Sequence, residues 1–261
     1  MTILSVVRSV CATVGVLTPT SVFTNIAGNR TMQEMLDLAN ETAQGIAYDN
    51  RDWTFLKKTV ALAGDSVWVP PVVDPPAAGY FTGGTTAFNL PADYKRMLLT
   101  SNVWRSSSTQ TPLTFIPDMD EWMVRRADEW IAPQGEWTIY GGQIHIFPTL
   151  EGPIVPPYTP VTAAETAYFA YLHKNCVALS SGGYGNEFLN DADSFALDER
   201  LLKLGMIWKW KAQKGSPYAE DLSNYGDALA VVQGHDVPSP IIVGRLPISA
   251  SVRASYPLAT P

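Results

Sequence analysis

Cysteine is almost missing from this chain. Cys11 and Cys176 are the full set, too few for a disulfide framework, and Cys11 falls on an apolar helical stripe, so both read as buried thiols in a reducing compartment. Histidine is equally sparse, and His145, His173 and His235 do not show the spacing of a zinc site. Charge is thin: 16% of residues are charged and the net charge is −7, which argues against a basic, phosphate-gripping nucleic-acid binder. No apolar run approaches the length of a membrane span. Ser5, Arg8 and Ser9 interrupt the first apolar residues and no basic segment precedes them, so a secretory signal is not expected.

Recognisable chemistry is also absent. Gly182-Gly183-Tyr184-Gly185 lacks the lysine and the strand-to-helix setting of a phosphate loop, and no GxSxG element occurs. Asp191 and Asp193, with Glu187, could be a metal or acid/base cluster, but asparagine and aspartate ahead of a helix more often serve as caps and turn residues. Asp118 with Asp120 reads the same way. His173 and Cys176 lie close in sequence, yet a strand end followed by Asn175 gives no reason to expect a catalytic pair. The expectation is therefore a non-enzyme without cofactor or metal.

What is present is apolar and aromatic. A 46% hydrophobic content argues for a folded chain, and eight tryptophans with eleven tyrosines point to large surfaces that are buried or covered by partners. The 261 residues suffice for one large domain or two smaller ones.

The strongest periodicity lies in residues 191–232. Leu197, Leu201, Leu204 and Trp208 share one helical face, Asp198 and Glu199 open the helix, and Lys209, Lys211 and Lys214 close it. Lys214-Gly215 ends it, Ser216 and Pro217 start a second helix, and Leu222, Tyr225, Leu229 and Val232 form a stripe that Gly234 should stop. Met206, Trp208 and Trp210 point in different directions around the first helix, so a second face must be covered. Either this is the central helix of a larger bundle or it is a subunit boundary, with Met206, Trp208, Trp210 and Tyr218 as the interface candidates. Gly205, costing about 1 kcal/mol against alanine in mid-helix, suggests close approach of another backbone.

Ile3, Val6, Val7, Val10 and Val14 predict a first helix ending at Gly15, and a Thr31/Glu34 capping box predicts a second running to Tyr48. Residues 53–62 and 67–69 read as a hairpin, Arg96 to Trp104 as a strand, Asp118 onward as a short helix with Met123, Ala127 and Trp130, and Gly141-Gly142 as the turn of a tight hairpin. Proline-rich loops span 70–84 and 151–160, and Ala167 to Leu172 closes the β region. Residues 236–261 have no helical period, yet Ile241, Ile242, Val243, Leu246 and Ile248 make them too apolar for a solvated tail; an arm gripping a neighbour is preferred over a strand on the chain's own β region. The expected fold class is α+β: a helical bundle formed by the terminal helices (1–52 and 176–235), an inserted antiparallel β region (53–175) and an extended C-terminal arm (236–261).

The order of these elements, with "RDWTFLKK", "FNLPADYKRML", "GGQIHIFP" and above all "DADSFALDERLLKLGMIWKWKAQKGSPYAEDLSNYGDAL", resembles the head-to-tail adaptor (connector) proteins of tailed bacteriophages. The resemblance covers most of the chain, although the two proline-rich loops look long for such proteins. It implies a virion structural protein made in the host cytoplasm and placed at the neck, in a ring of about twelve copies matching the portal. Its partners would be the portal protein, neighbouring copies, a downstream tail or nozzle protein, and double-stranded DNA passing without specific binding; no membrane is involved. Ile241, Ile242, Val243, Arg245 and Leu246 become candidates for portal contact. A β-rich carbohydrate-binding or host-recognition module of a virion is the alternative, and a carboxylate-dependent hydrolase a more distant one.

Overall fold

The computed structural model describes residues 1–24, 28–49, 51–73, 76–77, 79–98, 101–107, 111–127, 134–155 and 162–236. The expected arm, Trp130 and parts of both proline-rich loops lie outside the described residues. The first half of the chain runs α1 (Ile3–Val14), α2 (Arg30–Tyr48), a 3-10 turn (Thr54–Leu56), β1 (Lys57–Ala63), β2 (Val67–Val69), β3 (Val72–Val73), β4 (Pro76–Ala77), β5 (Tyr80–Thr82), β6 (Ala87–Asn89), β7 (Tyr94–Met97), β8 (Trp104–Arg105) and β9 (Thr114–Phe115). The second half adds α3 (Met119–Ala127), β10 (Glu136–Tyr140), β11 (Gln143–Phe147), β12 (Thr166–His173), β13 (Val177–Ala178), β14 (Tyr184–Gly185), β15 (Ser194–Phe195), α4 (Glu199–Gln213) and α5 (Ala219–Asp236).

Burial sorts these elements into two cores. The first is helical and draws on both ends of the chain, with α1, α2 and α5 packed around α4. Ile3, Val6, Val7, Val10 and Cys11 of α1 are buried, and Val16 N–H returns to Cys11 O around Gly15, satisfying a carbonyl at the helix end. α2 is capped by Asn29, whose side chain accepts from Met32 N–H at 3.3 Å. The predicted Thr31/Glu34 box does not form, because Glu34 turns to Arg30 (2.9 Å) and Lys214 (2.7 Å). In α4, Asp198 caps Leu201 N–H at 2.8 Å, and Leu201, Leu202, Met206, Ile207 and Trp210 are buried. Leu204 and Trp208, predicted to sit on the buried face, are only half-buried.

α5 crosses Gly234, where the sequence predicted a stop, because its last turn is fastened. Asp236 accepts from Thr54 N–H at 3.0 Å, and Arg51 donates to Gln233 O. The anchorage offsets the modest cost of a glycine near a helix end.

The second core lies between two sheets. In one, β12 is central: β1 pairs along its whole length, and β8 and β7 pair with its other edge. In the other, the order is β6-β11-β10-β9, with β10 and β11 joined through Gly141 and Gly142 at φ 60° and 75°, the backbone a tight hairpin turn demands. Leu62, Ala167, Phe169 and Tyr171 of the first sheet meet Trp137, Ile144 and Ile146 of the second. Strand alternation lets β12 serve both cores, since Phe169 and Tyr171 enter the sheet pair while Leu172, at a register shift, enters the helical core.

Asp93 knots the junction. It accepts from Lys58 Nζ at 2.6 Å and Tyr171 Oη at 2.9 Å, while its backbone carbonyl takes Lys174 N–H at 2.8 Å. Burial pushes the Asp93 carboxyl up, but these donors outweigh it and leave it below its ordinary value. The Tyr171 phenol is pushed up to about 12 by burial and by the carboxylate it faces.

The expected helical bundle with an inserted β region is corrected by this arrangement. Among the described residues there are five helices and fifteen strands in five sheets, so the molecule is a mixed α+β protein in which strands make up a large part. The helical core is not a bundle of helices alone, because Leu172, Val177 and Phe195 from strands complete it and α5 buries only Ala228. Pairing differs as well. β1 pairs with β12 rather than with β2, whose partner is β5, and β9 pairs in parallel with β10. Ser66 explains the first change: its hydroxyl donates to Leu150 O (3.2 Å) and accepts from Gly152 N–H (2.8 Å), directing the chain away from a hairpin return. The predicted strand from Arg96 to Trp104 is divided between β7 and β8.

Candidate functional site

Exposed apolar surface is the feature that asks for a partner, and two groups of such residues lie at helices. One is the α4–α5 pair. Trp208 lies between the rings of Tyr218 and Tyr225, with centroids 6.4 and 6.2 Å away. Tyr218, just ahead of the 18-residue α5, and Leu222 in its first turn remain 41% exposed. Lys211 and Asp221 pair at 2.6 Å across the two helices and set their register. Of the four interface candidates, Met206 and Trp210 are buried by the chain itself, Trp208 is half-covered, and Tyr218 is exposed. Gly205 marks a close approach of side chains rather than of the expected backbone, and they are internal: a Cβ there would lie 2.6 Å from Thr42 Cγ2 and 3.4 Å from the Tyr225 ring.

The other place is α3. Its inner face places Trp122 in the interior, while Met123 and Val124 are each 57% exposed, and Phe115 of β9 is exposed as well. A buried carboxylate that periodicity did not reveal pins the helix. Glu136 is fully buried and receives both Arg125 and Arg126, the latter at 2.5 Å. The Arg126 guanidinium also lies 3.5 Å from the ring centroid of Phe147. A second missed pair sits nearby: Arg105 donates to Glu165 at 2.8 Å and to the carbonyls of Pro148 and Thr149 at 3.1 and 3.2 Å. Burial raises the Glu165 carboxyl, but Arg105 and Ser107 hold it below its ordinary range. In sequence these residues look like ordinary surface charge.

Asp191, Asp193 and Asp118, weighed as chemistry, have backbone partners. Asp193 is buried and accepts from the N–H groups of Ser180, Leu189 and Asn190, each at 2.7 Å. Burial raises its pKa, and these donors pull it below the ordinary value. Asp191 clamps the segment after α1 through Val22 N–H (2.7 Å) and Ser21 Oγ. Asp118 accepts from Asp120 N–H at 2.8 Å at the start of α3. His173 Nδ1 takes Asn175 N–H at 3.2 Å, and the Cys176 thiol is buried and raised by desolvation. His145 stacks on Tyr140 at 3.6 Å, and His235 is exposed near the end of α5. Among the described residues, no three or more His, Cys, Asp or Glu side chains gather as a metal site, and no helix is long and apolar enough to cross a membrane.

Grooves among the described residues include two with exposed apolar lining. One, of about 490 Å³, runs past the cross-strand pair Trp104 and Tyr168, 39% and 47% exposed, with Thr59 and Asn102 at its sides. The other, of about 610 Å³, lies between the start of α4 and the end of α5. The portal-contact candidates Ile241, Ile242, Val243, Arg245 and Leu246 lie outside the described residues. No family model matches the chain, and no curated protein matches its sequence.

Proposed function

We propose that this chain is a non-enzymatic ring subunit of a tailed-phage virion, a head-to-tail adaptor between portal and tail. The observation carrying the proposal is the exposed start of α5. A long helix that buries one alanine, with Leu222 in its first turn and Tyr218 just ahead of it both exposed, is incompletely covered, which suits a neighbour in an assembly. A closed ring uses two different surfaces on each subunit, and the exposed Met123 and Val124 of α3 offer a second one. The net charge of −7 suits DNA sliding past without sticking. The sequence resemblance supplies the role, and the arm at 241–246 is assigned to portal contact. Electron microscopy of this protein mixed with the portal protein of the same genome should show an added ring on one end of the portal; portals left bare would end the proposal.

A second reading keeps one specific support. Trp104 and Tyr168 form an exposed aromatic platform flanked by Thr59 and Asn102, the chemistry that stacks on and hydrogen-bonds a sugar. Glycan binding by the isolated protein, lost in Trp104→Ala, would favour it.

A further inference from the structure

The sheet built around β12 ends at β1, a seven-residue strand bonded along one edge. Its ladder fixes which backbone groups face outward. Gly64 N–H extends the pairing to Glu165 O at 2.8 Å, whereas Ala170, opposite Thr59, sends its N–H to Ser101 Oγ at 3.3 Å on the far side of β12. Facing pairs in an antiparallel ladder alternate between bonded and non-bonded, so Lys58, Val60 and Leu62 bond β12 while Thr59, Ala61 and Ala63 turn their N–H and C=O groups away from it. Lys57 N–H closes the preceding 3-10 turn on Thr54 O. Among the described residues the outward groups of Thr59, Ala61 and Ala63 have no hydrogen-bond partner, and all three residues are exposed.

Exposed edges are ordinarily blunted by a central charge, a proline or a bulge. Residues 59–63 of β1 have none of these, and the register with β12 runs unbroken. The charges sit at the two ends of the strand and are of opposite sign. Lys57 is exposed and has no carboxylate partner among the described residues. The carboxylates around that end are taken, Asp93 by Lys58 at 2.6 Å, Asp52 by Arg96 and Asp236 by Arg51. Beyond the other end Asp65 is exposed, and a Cβ on Gly64 would lie 2.3 Å from the carbonyl oxygen of Glu151, which is exposed as well. Asp65 accepts from Thr85, and no cation pairs with Asp65 or Glu151 among the described residues. A strand positive at its start and negative beyond its end is complementary to itself when reversed.

We propose that β1 is the docking edge for a second copy of this chain, the two β1 strands pairing antiparallel about a two-fold axis at Val60. In this register Thr59 of each copy exchanges hydrogen bonds with Ala61 of the other, and Ala63 N–H reaches the free carbonyl of Lys57. Lys57 of each copy then lies beside the Asp65 end of the other. The two sheets become one, with the outer faces that carry Trp104 and Tyr168 on the same side of it. The contact is self-complementary and closes at two copies, unlike a ring. It concerns the chain away from a portal and does not rest on the adaptor reading.

The test uses the full chain alone. Analytical ultracentrifugation of the parent should show a dimer whose fraction rises with protein concentration. Ala61→Pro removes an outward N–H, where an edge strand tolerates proline, so the variant should keep its circular dichroism spectrum and dimerise at least tenfold more weakly. Cross-linking checks the register independently of that variant. Val60→Cys sets the two thiols across the axis, with Cα atoms about 4.5 Å apart, within disulfide reach. The thiols of Ala63→Cys would lie roughly 20 Å apart. Under oxidised glutathione Val60→Cys should therefore form disulfide-linked dimers at least tenfold faster than Ala63→Cys, although position 63 is the more exposed; the native cysteines are buried and do not compete. A parent that stays monomeric, a dimer that a folded Ala61→Pro leaves unchanged, or faster cross-linking at position 63 would overturn the proposal. None of these involves a portal, so failure here is distinct from failure of the adaptor assignment.

Discussion

Gly205 of α4 faces Thr42 of α2 so closely that a Cβ at position 205 would lie 2.6 Å from Thr42 Cγ2. Thr42 is itself buried, with its hydroxyl unpaired among the described residues. Gly205→Ala should therefore lower stability by about 1–3 kcal/mol through overpacking, despite the gain of about 1 kcal/mol in helix propensity. Thr42→Ser removes the clashing methyl, so the double variant should recover most of the loss in urea denaturation. A stabilising Gly205→Ala would show that α2 and α4 are farther apart.

Asp193 gives an acid-sensitive contribution. Its folded-state pKa is lowered from 3.8, so the stabilisation is fully present well above that value. It fades as pH falls towards 3.8 and is lost once pH has passed through the depressed folded-state value. Asp193→Asn should cost about 3 kcal/mol at neutral pH, since an amide cannot accept all three backbone N–H groups as a carboxylate does. The variant's stability should also fall less steeply than the parent's below pH 5. Parallel slopes would contradict the assignment.

The buried pair of Arg105 and Glu165 should behave unlike surface pairs. Glu165→Gln leaves a guanidinium buried without its counter-charge, with an expected loss of about 3–5 kcal/mol. Glu41→Gln, which removes a pair with Lys209 whose carboxylate side chain is 66% exposed, should leave the denaturation midpoint unchanged.

The exposed start of α5 should matter for assembly rather than folding. Leu222→Asp places a charge at a 41% exposed position. The variant should keep the parent's thermal midpoint and fail to form a ring on the portal. A normal ring would remove Leu222 from the interface.

How much of this was readable beforehand depends on the kind of interaction. The β10–β11 hairpin was legible because Gly141-Gly142 and the flanking alternation are local signals. The partner of β1 was not, because Val60 and Leu62 look the same whether they pair with the next strand or with Phe169 and Ala167 more than a hundred residues on. On α4 the apolar residues surround the axis, so periodicity did not show that Leu202, Met206 and Trp210 would be deeper than Leu204 and Trp208. Glu136 and Glu165 gave no signal, since burial of a carboxylate is decided by arginines brought to it by folding, from α3 for Glu136 and from β8 for Glu165, rather than by any local pattern. The aspartates at 191 and 193 were readable as turn residues, while the particular backbone groups they hold came from the three-dimensional arrangement.

The central claim is assembly on a portal, and mass in solution tests it most directly. Light scattering should compare the full chain with one ending at Asp236, the last residue of α5, each with and without purified portal rings. The account predicts that the portal gains about twelve full-length copies, and that the shortened chain remains folded but adds few or none. A full-length chain that stays monomeric and leaves the mass of the portal unchanged would contradict it.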